Sequence, residues 1–359
     1  MHITDLELTN FRKFKKIKLN NLKRINAIIG KNGVGKTSII ESIYFGSIAK
    51  SFKSYYDDVL LNEEESFFKI KINLEKENFN KKLEIIVNGK DKKAKIDGQL
   101  IKKLSNYICE YSVVLFSPDD IRLIKDNPNT RRNYLNIKLS NINKEYIDLI
   151  NNYNKLIKSK NDYLKKINLN SNLDEKYLDV LDEKIAEIGI NICKYRKEYI
   201  ENVNEYINII FKKFKKEDEI KLKYLSDFLN KTKKDIILML KKVRKKEIIL
   251  GLTTTGVHRD DFEFIHNNKN AVNYSSQGVQ KLILLSLKLS EIKLLDNKYK
   301  IKPILLLDDL FSELDESNQK KIMKLLSKKY QTFITTTDLN NIKVKDLKEI
   351  NVIKIKEVI

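Results

Sequence analysis

The chain of 359 residues is 42% hydrophobic and 33% charged, which is typical of a folded globular protein and excludes a disordered one. Two cysteines are too few for a disulfide framework, and three histidines argue against a zinc site. No apolar run is long enough to cross a membrane, and residues 1–5 lack the pattern of a signal peptide. We therefore expect a cytoplasmic protein without a membrane partner.

The charge balance favours a polyanionic partner. Lysine and arginine number 70 against 49 acidic residues, and the resulting net charge of +21 attracts nucleic acid. A lysine-rich, low-GC genome would produce the same excess, and the many asparagines and isoleucines are typical of such a genome. Charge alone therefore favours nucleic-acid binding without deciding it.

The first third of the chain predicts strands around one strand–loop–helix unit. Residues 3–19 alternate apolar and polar side chains and predict a strand pair joined near residues 10–12. The run 26–29 predicts a buried strand, which a loop joins to a helix ending near residue 49. We also predict two alternating strands, two hairpin turns and one short buried strand, at residues 68–72, 83–87, 88–89, 97–98 and 113–116.

Helical periodicity replaces strand periodicity from about residue 119. Between Leu178 and Phe214, apolar side chains recur at steps of three and four residues. As one helix, this near-heptad stripe would be roughly 55 Å long. Two long helices folded into an antiparallel arm explain the stripe, and so does a compact lobe of ordinary amphipathic helices.

Strand signals return near residue 250. We predict a hairpin from strands at 262–265 and 271–274, and then a helix, a strand, a helix and a strand near residues 281–295, 304–308, 317–327 and 332–336. The helical block therefore interrupts one α/β domain. The expected domains are a P-loop lobe with a β-hairpin part, an inserted helical lobe or arm, and the remainder of the α/β domain, at residues 1–120, 121–248 and 249–359.

The segment GKNGVGKTS at residues 30–38 fits the phosphate-binding pattern G-x-x-x-x-G-K-[ST]. Its glycines let backbone N–H groups converge on phosphate oxygens, and the following helix N-terminus adds positive potential. We predict that Lys36 reaches the β- and γ-phosphates of ATP and that the Thr37 hydroxyl is a ligand of Mg²⁺. The predicted ATP-binding residues are Gly30, Lys31, Asn32, Gly33, Val34, Gly35, Lys36, Thr37 and Ser38.

The segment Ile304–Asp309, ILLLDD, is an apolar strand that ends in two acids, the Walker B pattern. A parallel strand buried on both faces is continuously apolar, and its carboxyl end would bring Asp308 beside the P-loop. There Asp308 would hold Mg²⁺ through water, together with Thr37. Asp309 would orient or polarise the attacking water. Lys36, Asp308 and Asp309 are therefore the predicted catalytic residues.

A serine-rich segment, Ser275-Ser276-Gln277-Gly278, lies just before a predicted helix and about 30 residues before the Walker B acids. It resembles the signature segment of ABC-type ATPases, in which a serine and a glycine contact the γ-phosphate of a nucleotide held by the other subunit of a dimer. A serine hydroxyl and open backbone at a helix N-terminus form an anion site. The alternative is that Ser275 or Ser276 only caps the helix.

Two later segments also resemble ABC-type ATPases. Ser312–Asp315 corresponds to their D-loop, and Thr337 stands where many of them have a switch histidine. Asp309 stands where most have glutamate, and both departures imply slow ATP hydrolysis. The segment His258–Asp260 imitates a kinase catalytic loop, but Ile265 stands where that loop requires asparagine, so we reject a kinase.

The ordered set of segments resembles the RecF family of bacterial DNA-repair ATPases, which are related to SMC-like ABC heads. The resemblance also includes residues 8–12, 115–120, 131–132 and 258–261, so it covers nearly the whole chain. It implies an α/β fold, a P-loop ABC-type ATPase head that has a mixed sheet with an antiparallel β part and an inserted helical lobe or arm. It also implies that Arg12 contacts nucleotide phosphate.

The resemblance further implies a function. Proteins of this family bind double-stranded DNA and single-strand/double-strand junctions in an ATP-dependent way and form a homodimer on ATP. With RecR and RecO they help to load RecA at gapped DNA coated with SSB, in recombination, replication and the SOS response to DNA damage. Two alternatives share the head motifs, namely the ATPase subunit of a membrane transporter and a structural SMC-like head that binds protein.

Overall fold

The computed structural model describes residues 1–76, 79–169, 174–313, 316–326, 329–338 and 350–355. The chain divides into two compact units, the first formed by Met1–Asp120 with Leu287–Ile359 and the second by Ile121–Ser286. Within the described ranges, no helix combines the length and the apolar character needed to cross a membrane.

The first unit begins with an antiparallel sheet and the strand–loop–helix unit. Its elements are β1 (His2–Phe11), β2 (Phe14–Leu19), β3 (Ile25–Ile29), α1 (Lys36–Ile48), β4 (Phe67–Lys76), β5 (Phe79–Asn88), β6 (Asp91–Ile96), β7 (Gln99–Leu100) and β8 (Val113–Phe116). The antiparallel sheet has the order β2-β1-β4-β5-β6-β7. The predicted strand pair at 3–19 and the predicted turns at 88–89 and 97–98 are confirmed, because β1 pairs with β2 and the turns join β5, β6 and β7.

The second unit combines long helices with a small sheet. Its elements are α2 (Arg122–Lys125), α3 (Pro128–Ile142), α4 (Lys144–Leu169), α5 (Lys176–Phe211), β9 (Ile220–Leu225), α6 (Lys233–Leu250), β10 (Asp261–His266), β11 (Lys269–Asn270) and α7 (Ala271–Tyr274). The predicted apolar stripe lies on one helix, α5, whose 36 residues span about 54 Å, except that Phe214 follows the end of the helix. It packs against both α4 and α6, so the inserted part is a helical lobe with internal packing.

Two details of the second unit differ from the sequence prediction. The strand β9 lies in a part expected to be helical, and it pairs with β10 along its whole length, from Ile220 to Leu225. The predicted strand at 271–274 is wrong, because these residues form α7. The side chain of Asn270 accepts a hydrogen bond from the Val272 N–H at 3.0 Å and caps this helix, which favours a helical turn over a strand in so short a segment.

The C-terminal part of the chain contains α8 (Gln277–Asn297), β12 (Ile304–Asp308), α9 (Glu316–Leu326), β13 (Thr332–Thr336) and β14 (Ile350–Lys354). A parallel sheet of the first unit has the order β14-β3-β13-β12-β8. All five residues of β12 are buried, as the continuously apolar run predicts. The α/β fold class is confirmed, with the antiparallel and parallel strands in separate sheets. The carboxyl ends of β3, β12 and β13 meet at one edge, which positions the candidate site.

Charged residues are buried among the long helices of the second unit. Lys160 of α4 lies 2.7 Å from a carboxylate oxygen of Asp182 in α5 and 2.8 Å from one of Glu247 in α6, and all three side chains have 0% exposure. Arg244 donates to the other oxygen of Asp182 at 2.8 Å. Each of these four buried charges therefore lies beside a group of opposite sign, and removal of one partner would leave an uncompensated charge.

The kinase-like segment at residues 258–261 is part of the packing of the second unit. Asp260 forms a buried ion pair with Arg196 at 2.6 Å. Asp261 accepts hydrogen bonds from two nitrogens of the Arg131 guanidinium at 2.6 and 2.9 Å. Burial lowers the pKa of His258 to about 4, so its ring is neutral at physiological pH. These contacts give the segment a structural role.

Candidate nucleotide-binding site

The P-loop joins the end of β3 to the start of α1, which confirms the predicted strand–loop–helix context. Gly35 precedes the helix with a φ of 103°, and a Cβ at this position would lie 2.6 Å from the Phe14 ring. Glycine is therefore required here on both conformational and steric grounds. Lys31, Asn32 and Gly33 are exposed in the loop. The loop leads directly into the N-terminus of α1, where backbone N–H groups attract anions.

The Lys36 side chain folds back across the loop. Its ammonium donates to the carbonyl oxygens of Gly30 at 2.7 Å and of Lys31 at 2.8 Å. Desolvation lowers the pKa of Lys36, whereas the nearby carboxylates of Asp309 and Asp308 raise it. An ammonium has three N–H donors, so one remains for a phosphate oxygen while the other two hold the loop.

Asp308 is the point at which three segments of the first unit meet. One of its carboxylate oxygens accepts hydrogen bonds from the hydroxyls of Thr37 and Thr335, each at 2.9 Å. The side chain is nearly fully buried at the end of β12. Burial raises the pKa of Asp308, and the two threonine hydrogen bonds oppose this shift. The structure thus brings the P-loop threonine and the first Walker B acid into direct contact.

Asp309 occupies a turn directly after β12. Its φ of 49° is left-handed, a conformation that aspartate tolerates better than most residues. Its backbone N–H donates to the Thr335 hydroxyl at 2.9 Å, and its side chain is exposed. Thr335 therefore connects both acids, because its hydroxyl donates to Asp308 and accepts from Asp309.

The side chains of Thr37, at the start of α1, and Asp308, at the end of β12, fit a magnesium ion. Thr37 and Asp308 offer hard oxygen atoms 2.9 Å apart beside a phosphate-binding loop. In nucleotide sites Mg²⁺ uses one or two protein oxygens and completes its shell with phosphate oxygens and water. Thr37 and Asp308 are thus the residues that would hold it.

Arg12 is held in place by an acid of α1. Its Nε and Nη2 atoms donate to the two carboxylate oxygens of Glu41, both at 2.9 Å, and its Nη1 donates to the Val59 carbonyl at 2.8 Å. Glu41 is 1% exposed, so this ion pair is shielded from water on the acid's side. A guanidinium has five N–H donors, and at least two remain for an anion.

A cavity of about 570 Å³ lies at the start of α1. Its lining includes three cationic side chains and two hydroxyls, from Arg12, Lys13, Lys53, Thr37 and Ser38. Cations and hydroxyls around a helix start are the groups that bind phosphate oxygens. The cavity thus supports the prediction for Arg12 and adds Lys13 and Lys53 to the site.

The signature segment lies in the second unit, at the start of α8. Ser276, Gln277 and Gly278 are exposed, and a Cβ at Gly278 would meet no atom within 4 Å. The Ser276 hydroxyl accepts from the Val279 N–H at 3.4 Å, a weak N-cap. The Ser275 hydroxyl instead lies 2.9 Å from Nδ1 of His266. The structure therefore distinguishes the exposed Ser276 from Ser275, whose hydroxyl contacts His266.

The remaining predicted segments are only partly described. Leu314 and Asp315 of the D-loop lie outside the described residues. Thr337 is exposed directly after β13, at the end of the strand, where the sequence predicted the switch position.

Several residues that complete the site belong to no sequence motif. Thr335 stands directly opposite Asp308 in the β12–β13 register, and a polar residue at the carboxyl end of a buried strand was the available signal. Glu41 is a buried acid in a helix, and its role becomes clear only from its ion pair with Arg12. Lys13 and Lys53 carried no motif.

The sequence profile of the RecF/RecN/SMC N terminal domain matches residues 2–357. The DNA replication and repair protein RecF of Bacillus cereus (strain AH820) is 36% identical over 363 residues, covering 99% of this chain and 97% of the relative. The chain belongs to the RecF family. The resemblance inferred from the ordered segments is thereby confirmed.

Solved structures agree with RecF-family membership. A structure of the recombination mediator protein RecF with ATP, in the RecFOR pathway, has a TM-score of 0.92 and 32% identity, covering 99% of this chain and 96% of that one. The Smc head domain of Pyrococcus furiosus, bound to the C-terminal domain of ScpA, has a TM-score of 0.55 at 16% identity, covering 99% of this chain and 94% of that one. This second likeness shows the shared head fold alone.

Proposed function

We propose that this chain is an ATP-dependent DNA-binding protein of recombinational repair and DNA replication, and that ATP joins two copies into a dimer. The hydrogen bond from Thr37 to Asp308 carries the proposal, because it unites the two motifs that bind and hydrolyse nucleoside triphosphates. The RecF relatives, which are named for replication and repair, support the role in DNA metabolism. The net charge of +21 supports a polyanionic partner.

Different residues of the first unit bind the phosphates, hold Mg²⁺ and orient the attacking water. The P-loop amides, Lys36 and Arg12 hold phosphate oxygens, and Thr37 and Asp308 hold Mg²⁺. When bound, Mg²⁺ neutralises charge that develops on the phosphoryl oxygens. Asp309 orients the attacking water, and Thr335 fixes the backbone from which Asp309 projects. Asp309 is one methylene shorter than glutamate and Thr337 cannot take up a proton as histidine does, so hydrolysis is slow.

A second copy of the chain completes the site. The exposed side chain of Ser276 and the open backbone at Gly278 support a contact with the γ-phosphate of nucleotide bound to the partner. Gln277, between them, is also exposed, and Ser275 is turned inward to His266. ATP would then act as the link between two chains, and its slow hydrolysis would set how long they stay together.

Family membership supports the remaining partners. The DNA substrates are duplexes and single-strand/double-strand junctions at gaps coated with SSB. RecR, together with RecO, acts with this chain to help load RecA, as part of the SOS response to DNA damage. The relatives' role in DNA replication and repair supports a cytoplasmic location.

The proposal is tested with Lys36→Met, using Lys23→Met as the control because Lys23 is an exposed lysine of the same unit. Sedimentation velocity with Mg²⁺ and ATP should show a dimer for the wild type and for Lys23→Met, and a monomer for Lys36→Met. The logarithm of the binding constant for duplex DNA should fall linearly with the logarithm of the salt concentration. In the two dimerising proteins, ATP should raise this binding constant. An unchanged mass of the wild type with ATP contradicts the proposal.

A further inference from the structure

Ser275 is tied to the second unit by all of its polar groups. Its N–H donates to the Ala271 carbonyl at 3.2 Å, and its carbonyl accepts from the side-chain amide of Gln280 at 3.2 Å. Its hydroxyl lies 2.9 Å from Nδ1 of His266. The three contacts come from α7, α8 and β10, so the position of this residue is fixed from three directions.

The His266 ring is itself held by two neighbours. Phe211 of α5 packs edge-to-face against it, with 5.7 Å between ring centroids. Nε2 lies 3.4 Å from a carboxylate oxygen of Asp218, whose pKa is lowered mainly by a hydrogen bond from Asn267. A carboxylate beside Nε2 favours the tautomer with its proton there, and in that tautomer Nδ1 accepts a hydrogen bond from the Ser275 hydroxyl.

The residues just after this anchor are the ones that face solvent. Ser276 follows Ser275 directly, and Ser276, Gln277 and Gly278 are all exposed. A binding group on a loop contributes most when the adjacent backbone is already fixed, because less freedom is lost on binding. The Gln280 side chain, 4% exposed, also donates to the Ala271 carbonyl at 3.1 Å and closes the turn from beneath.

We propose that His266 is a positioning residue for the signature segment, acting through Ser275 to hold Ser276 and Gly278 ready for the nucleotide of a second copy. This inference rests on the proposed ATP-dependent dimer. It predicts that His266 affects the association of two chains and leaves the binding of ATP to one chain unchanged, because the P-loop belongs to the other unit.

Three substitutions of His266 separate positioning from general packing. In His266→Asn an amide atom takes the place of Nδ1 and can still bond the Ser275 hydroxyl. In His266→Gln the amide extends toward Asp218, and in His266→Ala both contacts are lost. We expect the dimer dissociation constant in ATP and Mg²⁺ to rise by about tenfold or more for Ala and Gln and to stay near wild type for Asn. Ser275→Ala should match His266→Ala, and Glu263→Gln, on the same strand, is the control.

Two readouts make the outcomes distinct. Fluorescent-ATP titration at protein concentrations too low for dimers should give one dissociation constant for every variant, while sedimentation measures association. Dimerisation of His266→Ala at wild-type strength overturns the inference. The inference is also overturned if His266→Asn weakens dimerisation as much as His266→Ala does. Normal dimerisation of Ser275→Ala would overturn it as well. A wild type that stays monomeric with ATP overturns the proposed function as well.

Discussion

Thr37 and Asp308 are joined by a 2.9 Å hydrogen bond across 271 residues of sequence. The same carboxylate oxygen accepts from Thr335, whose hydroxyl also receives the backbone N–H of Asp309. One threonine at the end of β13 therefore fixes both Walker B acids relative to the P-loop. This relationship explains how a short motif on one strand depends on a neighbouring strand that carries no motif.

Thr335→Val should slow ATP hydrolysis while leaving the fold intact, because valine keeps the shape of threonine and loses the hydroxyl. Removing a residue that orients a catalytic group typically costs about 10- to 100-fold in activity. Steady-state phosphate release would measure the loss. Thr332→Val is the matched control, since Thr332 lies on the same strand and its hydroxyl donates to the Tyr330 carbonyl. Equal rates for the two variants would contradict the role of Thr335.

Asp308→Asn should stabilise the protein at neutral pH in the absence of nucleotide. Burial raises the pKa of Asp308 above its ordinary value of 3.8, so the folded state prefers the protonated acid. The stability due to this preference is complete below 3.8 and is lost as the pH rises through the folded-state pKa. Asparagine does not ionise and avoids this loss.

Urea unfolding at a series of pH values measures this difference. The two proteins should have similar free energies of unfolding below pH 3.8 and diverge above it, with the variant more stable. Adding ATP and Mg²⁺ should stabilise the wild type and have a smaller effect on the variant, which lacks the carboxylate. Parallel pH profiles for the two proteins would rule out the raised pKa.

The Arg12–Glu41 pair should be strongly coupled in the binding of ATP. Glu41→Gln removes the charge that holds the guanidinium, and Arg12→Lys keeps the charge but loses the two-pronged geometry. In a double-mutant cycle on ATP affinity, we expect a coupling energy of about 1–3 kcal/mol. The pair Lys71–Glu84, 3.8 Å apart at the surface, is the control, and its coupling should be close to zero. Additive effects of Arg12 and Glu41 would contradict the prediction.

Lys160→Met should destabilise the second unit without affecting nucleotide binding. It leaves Asp182 and Glu247 without their buried cation, and breaking a buried ion pair costs about 3–5 kcal/mol. Calorimetry should show a lower unfolding temperature, while ATP affinity stays at the wild-type value. Lys158→Met removes an exposed lysine of the same helix and should be nearly neutral. An unchanged unfolding temperature for Lys160→Met would show that the buried lysine charge is not needed for stability.

The sequence predicted those parts of the site that local patterns encode. Gly35 and Lys36 lie in a segment whose strand, turn and helix follow one another directly, and the apolar run before Asp308 identifies a buried strand without further information. Partners that meet through the tertiary fold left no local pattern. Thr335 and Glu41 belong to this class, because each becomes interpretable only beside a residue that is distant in the chain.

The absence of a local pattern for tertiary partners also explains the two wrong predictions in the second unit. β9 is six residues long and lies within the part at 121–248 that the helical periodicity predicts to be helical, and its pairing with β10 is not local. At residues 271–274 the short run Ala-Val-Asn-Tyr fits a strand equally well. The hydrogen bond from the Val272 N–H to the Asn270 side chain caps a helix at these residues. Short segments are thus determined by caps and pairing partners more than by composition.

The strand order of the parallel sheet has a consequence for how the chain is made. β3 lies between β13 and β14, and Asn351 reaches Asn26 across 325 residues. A ribosome therefore releases the P-loop long before the strands that enclose it, whereas residues 121–286 emerge as one continuous unit and can fold first. Until β13 has been made, the apolar β3 has no partner strand in this sheet. A chain cut short before β13 lacks the strand between β3 and β12, so the contacts of Thr335 with Asp308 and Asp309 form only after β13 has been made.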